Sequence, residues 1–159
     1  MIFQKFIPQH LKILNSKEKK EIVSMINSQW DANFSTDLGM LRNNEDKIFL
    51  INPSIANIDF SKLRINSLGL YIAEVKDGFV RLSIEGSQLI GPHAKTNVVD
   101  LTHEEAGKWL MGEDIERQTD FQKFVIMRSG VDFLGCGCQV KGKILNYVGK
   151  NRRVSAVHS

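Results

Sequence analysis

Glycine residues divide the last third of this chain into short strand-like segments, and this pattern restricts the fold more than any other feature. Gly130, Gly142 and Gly149 stand between or after apolar segments. Glycine adopts positive φ without strain, as tight turns between antiparallel strands often require. RVSAV (153–157) could add a further strand. The pattern predicts a compact, mostly β module built on KFVIMR (123–128), DFLGCGCQV (132–140) and KILNYV (143–148).

The first half of the chain combines helical and strand patterns. NSKEKKEIVSMINSQW (15–30) has apolar residues at helical spacing, and Glu18 follows Asn15 at the distance of a capping box. KDG (76–78) predicts a hairpin turn. We expect strands near 34–41, at IFLI (48–51), at LGLYIAEV (68–75) and at FVRLSI (79–84), a polar loop at 42–47 and a short helix at 54–63.

A third helix is predicted at THEEAGKWLMGED (102–114), after a short strand at TNVVDL (96–101). Thr102 and Glu105 have capping-box spacing, and Gly112 is a typical residue just after a helix end. The dipeptide Gly91-Pro92 is a strong breaker between the two halves. We therefore expect an α+β fold.

The predicted domains are a small α/β domain at 1–92 and a β domain with one main helix at 93–159.

Positive charge is concentrated at the carboxyl end. Residues 1–120 carry 14 Lys or Arg and 17 Asp or Glu, whereas residues 121–159 carry seven basic residues and Asp132 as the one acid. This asymmetry predicts a polyanionic partner. The alternative is a solvated basic surface that binds nothing. The seven residues are Lys123, Arg128, Lys141, Lys143, Lys150, Arg152 and Arg153.

Catalytic and metal-binding patterns are weak in this sequence. Cys136 and Cys138 point to the same face of a predicted strand, but no second cysteine pair or HxxxH spacing completes a zinc site. Two small core residues beside glycines are the favoured interpretation. The chain also has no P-loop, HExxH or GxSxG motif. We expect neither an enzyme nor a cofactor.

Several further features bear on the cellular location. No apolar run reaches the roughly 18 to 20 residues of a membrane helix, so no membrane partner is expected. The start has no signal-peptide pattern, and two cysteines suit a reducing compartment. These features predict a cytoplasmic protein.

Two stretches carry a resemblance to a known family. NVVDLTHEEAGKWLMGEDI and FVIMRSGVDFLGCGCQV resemble the PUA domain, named for pseudouridine synthase and archaeosine transglycosylase. Leu110-Met111-Gly112 fills the place of the family's helix-ending leucine-glycine step. Leu134-Gly135-Cys136-Gly137 fills that of its LGxG-like element. The resemblance implies a β pseudo-barrel with one main helix at 93–159, and RNA binding through a groove beside that helix.

The stretch SLGLYIAEVKDGFVRLSIEGSQLIGPHAKTNVV (67–99) looks like the junction in two-domain ribosome-biogenesis factors, in which a pre-PUA domain precedes the PUA domain. Archaeal PUA proteins grouped with the Nol/Nop/Sun RNA cytosine methylases are similar at the ending LNYVGKNRRV. Methylases of that group have a cofactor-binding domain and a Pro-Cys motif, which this sequence lacks. The resemblance therefore implies a binding member without the enzyme. The matching places are Ser67-Leu68-Gly69, Val80-Arg81-Leu82 and Pro92-His93-Ala94-Lys95.

The candidate RNA-binding residues are cations, which can neutralise phosphates. A turn at Gly142 would present its two flanking lysines at a hairpin tip, whereas a continuous strand would align them on one face. Tyr147 could stack a base, although a core position is the favoured interpretation. The candidates are Lys141, Lys143, Lys150, Arg152 and Arg153, then Arg128, and Lys95 from the family's PxAK element.

Three functional hypotheses follow. The first is a PUA-domain protein that holds structured rRNA or tRNA, in ribosome biogenesis or as an accessory to RNA modification. Its partners would be RNA and, besides, an RNA-modifying enzyme or ribosome-assembly proteins. The second is an adaptor that docks on an RNA-modifying enzyme. The third is an enzyme that uses Cys136 or Cys138.

Overall fold

The computed structural model describes residues 10–52 and 69–154, and in these residues two β-sheets and three α-helices form an α+β fold, as predicted. The strands are β1 (Leu11–Ile13), β2 (Gly39–Asn43), β3 (Lys47–Ile51), β4 (Leu70–Lys76), β5 (Phe79–Leu82), β6 (Val98–Asp100), β7 (Lys123–Ser129), β8 (Asp132–Val140) and β9 (Lys143–Asn146). The helices are α1 (Ser16–Trp30), α2 (Ile84–Ile90) and α3 (His103–Leu110), with 3₁₀ helices at Gly91–His93 and Lys150–Arg152.

Helix α1 begins at the predicted capping box. The Asn15 side chain accepts a hydrogen bond from the Glu18 backbone N–H at 2.8 Å, and the Glu18 carboxylate accepts one from the Asn15 N–H at 3.1 Å. Ile22, Ile26 and Trp30 recur every four residues and are all buried. This spacing places them on one face of the helix, which packs into the main core.

The first sheet is an antiparallel meander with the order β1-β2-β3-β4-β5. The predicted KDG turn joins β4 to β5. The strand expected near 34–41 begins at Gly39, and the loop expected at 42–47 is shorter. The Asn43 side chain accepts from the N–H groups of Glu45 and Lys47, both at 2.9 Å, and so closes a tight turn.

The second sheet has the order β6-β7-β8-β9, with β6 parallel to β7 and the other pairs antiparallel. Helix α3 lies in the β6–β7 connection, and its predicted Thr102–Glu105 capping box is present. Trp109 is fully buried, and its indole N–H donates to the Leu134 carbonyl at 2.8 Å. This bond fastens α3 to β8.

Helix α2 joins the two sheets into a shared core. A Cβ atom at Gly86 would lie 1.9 Å from the Ile72 carbonyl oxygen, so only glycine allows α2 to lie this close to β4. On the other side, the buried Ser87 hydroxyl accepts from the Gly135 N–H at 2.8 Å. The main apolar cluster contains residues of both sheets, including Ile72 and Ile126.

Some sequence predictions remain predictions. The domain boundary after residue 92 falls within the 3₁₀ helix Gly91–His93, and the shared core crosses it. The helix expected at 54–63 and the residues Ser67 and Leu68 lie outside the described residues. So do residues 155–157 of the possible last strand, while Arg153 and Val154 are not in a strand.

Within 10–52 and 69–154, no helix is both long and apolar enough to cross a membrane.

Candidate nucleic-acid interface

Lys141 and Lys143 flank the tip of the β8–β9 hairpin. The structure has a turn at Gly142, so the two lysines lie at a hairpin tip and do not share a continuous strand. The Gly142 N–H donates to the Gln118 side chain at 2.7 Å, which fixes the turn. Lys141 is exposed, and the Lys143 ammonium lies 3.6 Å from an Asp114 carboxylate oxygen.

The carboxyl-terminal cations lie in and after the 3₁₀ helix Lys150–Arg152. Lys150 is exposed, and it forms no ion pair with any residue that the structure describes. The Arg152 guanidinium contacts the Glu85 carboxylate at 2.7 Å. Burial of Glu85 opposes its ionisation, but the hydrogen bond and charge of Arg152 and a backbone hydrogen bond outweigh it, so the pKa of Glu85 is lowered.

Arg153 has a structural contact that the sequence did not indicate. Its Nε–H donates to the Val148 carbonyl at 3.0 Å. The guanidinium lies against Gly112, at the end of α3. The next residue, Val154, donates its backbone N–H to the Leu110 carbonyl at 2.8 Å. These contacts fasten the segment after β9 to the main helix of the second sheet.

Arg128 and Lys95, the last two of the candidate RNA-binding residues, differ in their surroundings. Arg128 forms a two-pronged ion pair with Asp100, with Nε–Oδ1 and Nη2–Oδ2 distances of 2.6 and 2.9 Å. The hydrogen bonds of this pair lower the pKa of Asp100 and raise that of Arg128. Lys95 is exposed, and its backbone N–H donates to the Trp30 carbonyl at 2.9 Å.

The structure does not bring all seven candidates onto one patch. Arg128 lies opposite Phe133, near one end of the β8 strand, and Lys143 lies opposite Val140, at the other end. Seven residues of extended strand separate these positions by roughly 23 Å. The cations are therefore divided among the hairpin tip, the β7 end, the segment after β9 and, for Lys95, the segment before β6.

Arg152 belongs to a cleft of about 480 Å³ where the two sheets meet, which we call the junction cleft. Its polar wall contains the cations Lys47 and Arg81 in addition to Arg152, and the rings of Tyr71 and Tyr147. The other residues are Leu82, Ser83, Ile84, Glu85, Gly135, Cys136, Val148, Gly149 and Asn151.

In the junction cleft, each of the two tyrosine rings has a cation beside it. The guanidinium carbon of Arg81 lies 4.4 Å from the Tyr147 ring centroid, and Arg81 also pairs with Glu74. The Lys47 ammonium lies 5.7 Å from the Tyr71 centroid. Burial is the main cause of the raised pKa of Tyr71, so this phenol stays neutral.

The expectation that Tyr147 is a core residue was wrong, because the side chain is 43% exposed. Sequence reasoning also passed over Arg81 and Lys47 as ligand-binding residues. The pattern of β5 contained a signal for Arg81: it stands between the buried Val80 and Leu82 and must therefore point to the opposite face of the strand.

Cys136 packs in the main apolar cluster, as predicted, and Cys138 is half-buried against it. Burial raises the pKa of the Cys136 thiol to about 12, so it stays protonated near neutral pH. Neither cysteine forms a disulfide. In the part of the chain that the structure describes, no group of three or more His, Cys, Asp or Glu side chains is arranged to hold a metal ion.

Comparison with known proteins identifies the second sheet and its helix. Residues 96–154 match the family model described as the methyltransferase RsmF PUA domain. This match confirms the resemblance to the PUA domain that the sequence predicted. The chain is also 28% identical, over 105 residues, to ribosomal RNA small subunit methyltransferase F of Vibrio parahaemolyticus. That match covers 65% of this chain and 21% of the relative, so the chain corresponds to about a fifth of the relative's length.

Proposed function

We propose that this chain binds ribosomal RNA through its PUA domain and that this binding serves rRNA modification. One observation carries the proposal: residues 96–154 match the PUA domain of a methyltransferase family, and the similar Vibrio protein is named as an rRNA methyltransferase. A wider role in ribosome biogenesis, an archaeal relationship and a cytoplasmic location stay predictions.

The surface charges support RNA as the ligand. Lys95, Lys141 and Lys150 are exposed, and none of them forms an ion pair within residues 10–52 and 69–154. Their ammonium groups can neutralise phosphates without first breaking an internal contact with those residues. Lys143 contacts Asp114 and Arg152 contacts the half-buried Glu85; both cations are partly exposed, and ion pairs near the surface contribute little to stability. A phosphate can replace such a carboxylate at small cost.

We further propose that this chain supplies RNA binding and not methyl transfer. The family match covers the PUA domain, and the buried Cys136 thiol is a poor nucleophile because it stays protonated. The modification step would then need a separate catalytic unit, for which an RNA-modifying enzyme is the expected partner. Docking on that enzyme or on ribosome-assembly proteins stays a prediction.

A direct binding measurement tests the proposed function. Fluorescence anisotropy with labelled fragments of small-subunit rRNA measures the binding constant at several salt concentrations. The logarithm of this constant should fall linearly with the logarithm of the salt concentration. A duplex DNA of equal length measures the purely electrostatic part. The proposal fails if no rRNA fragment binds more tightly than this DNA at 0.1 to 0.2 M salt.

A further inference from the structure

We propose that the junction cleft holds one unstacked nucleotide of the bound RNA, with its base on the Tyr147 ring and its phosphate at Arg152. This inference rests on the proposed function, because it assumes that RNA is the ligand. It assigns a second contact region to the chain, formed by both sheets together.

The size and walls of the junction cleft suit a nucleotide. About 480 Å³ lies within the range of roughly 300 to 1,000 Å³ typical of small-ligand sites. One wall comes from the first sheet and contains Lys47, Tyr71 and Arg81. The segment after β9 contributes Tyr147 and Arg152 to the lining. A ligand in the cleft would therefore contact both halves of the chain.

Tyr147 has the properties of a stacking platform. Its side chain is 43% exposed although its ring also contacts Phe124, at 6.2 Å between centroids in an edge-on arrangement. Arg81 lies over the ring, and its ion pair with Glu74 holds the guanidinium in place. Arg81 and Phe124 thus hold the ring in place, while 43% of the residue surface stays accessible. Splayed RNA bases stack on aromatic rings of this kind.

Arg152 supplies the anion-binding group beside this ring. Its guanidinium contacts Glu85 through Nη2, and the side chain is 46% exposed. Guanidinium groups form two-pronged contacts with phosphates as readily as with carboxylates. A phosphate that enters the cleft can therefore take over the place of Glu85. Tyr147 and Arg152 are five residues apart and line the same cleft, so one nucleotide can reach both.

Paired and unpaired RNA provide the test, with the full chain as the protein. The probes are an RNA hairpin with a single bulged 2-aminopurine and the same hairpin without the bulge. Stacking on a tyrosine ring should quench 2-aminopurine fluorescence, and the bulged RNA should bind more tightly. Tyr147→Ala should weaken binding of the bulged RNA by about 5-fold to 100-fold and leave the unbulged RNA nearly unchanged. Tyr147→Phe, which keeps the ring, should retain the preference.

The outcomes separate this inference from the proposed function. If the wild-type chain binds neither hairpin, the proposed function fails. If it binds both equally, or if Tyr147→Ala keeps the full preference and quenching, the cleft proposal is overturned while RNA binding stands. If either of these two results is found, the cleft would have to be assigned to another ligand, such as a protein segment. If Tyr147→Ala does not fold, Arg152→Gln, a change at an exposed side chain, replaces it in the test. This variant should also lose the preference for the bulged RNA.

Discussion

The guanidinium of Arg153 lies so close to Gly112 that a Cβ atom at this glycine would be 2.4 Å from the Arg153 Nε. Gly112 follows α3 with a φ of +95°, a conformation that other residues rarely adopt. The positive φ favours glycine there, and a Cβ atom would also displace the Arg153 side chain from this contact. Through this pair, Arg153, near the end of the residues that match the PUA model, packs against the end of α3.

We expect Gly112→Ala to destabilise the protein by about 1 kcal/mol or more, because the positive φ opposes a side chain and a Cβ atom would displace Arg153 from its contact. Gly107→Ala is the matched control. Gly107 lies within α3 with no atom near its would-be Cβ, so alanine should be neutral or stabilising by up to about 1 kcal/mol. Urea unfolding followed by circular dichroism measures both variants. Equal stability of the two variants would contradict the assigned role of Gly112.

A second prediction concerns the exposed lysines. Changing Lys95, Lys141 and Lys150 together to Ala should weaken rRNA binding and flatten the logarithmic salt slope by about 2, if each lysine neutralises one phosphate of a single strand. Arg153 is left unchanged, because its removal would also disturb the contact with Gly112.

The charge-matched control for this triple variant changes Lys17, Lys20 and Lys76, which are exposed outside the PUA match. It should keep nearly the full salt slope. Titrations at four or more salt concentrations compare the two slopes. An equal loss in both triple variants would indicate that net charge, and not position, determines binding.

The sequence predicted the elements of the second half well because each has a local signal. The Thr102–Glu105 capping box begins α3, and glycine-bounded apolar segments became β7, β8 and β9. Strand β8 has the predicted bounds, Asp132–Val140. Capping and turn residues act within a few positions of the chain, so a single sequence reveals them.

The candidate site was harder to predict because its parts are far apart in the sequence. Arg81 lies over the ring of Tyr147, 66 positions later in the chain, and Arg152 contacts Glu85 across a similar interval. Such contacts depend on how α2 joins the two sheets, which no local pattern specifies. Charge composition identified Arg152 but could not separate it from Arg153, which packs on Gly112.

A third prediction uses the ion pair between Arg152 and Glu85. Glu85→Gln removes the carboxylate that competes with a phosphate for Arg152, so RNA binding should strengthen by a few-fold, on the order of 1 kcal/mol. Glu104→Gln is the control, because Glu104 is 82% exposed and contacts Lys108 at 3.7 Å on α3. Both variants remove one negative charge. Anisotropy titrations at constant salt should show a larger gain for Glu85→Gln, and equal gains would exclude a specific role of this pair.

The fourth prediction concerns the reactivity of the two cysteines. With a pKa of about 12, the Cys136 thiol is ionised to only about 10⁻⁴ at pH 8, and it is almost fully buried. Iodoacetamide should therefore modify the half-buried Cys138 well before Cys136 in the folded protein. Peptide mass spectrometry over a time course measures the two rates, and labelling in 8 M urea, where both thiols are exposed, is the control. Faster modification of Cys136 in the folded chain would show that its thiol is accessible and activated, and would restore it as a candidate nucleophile.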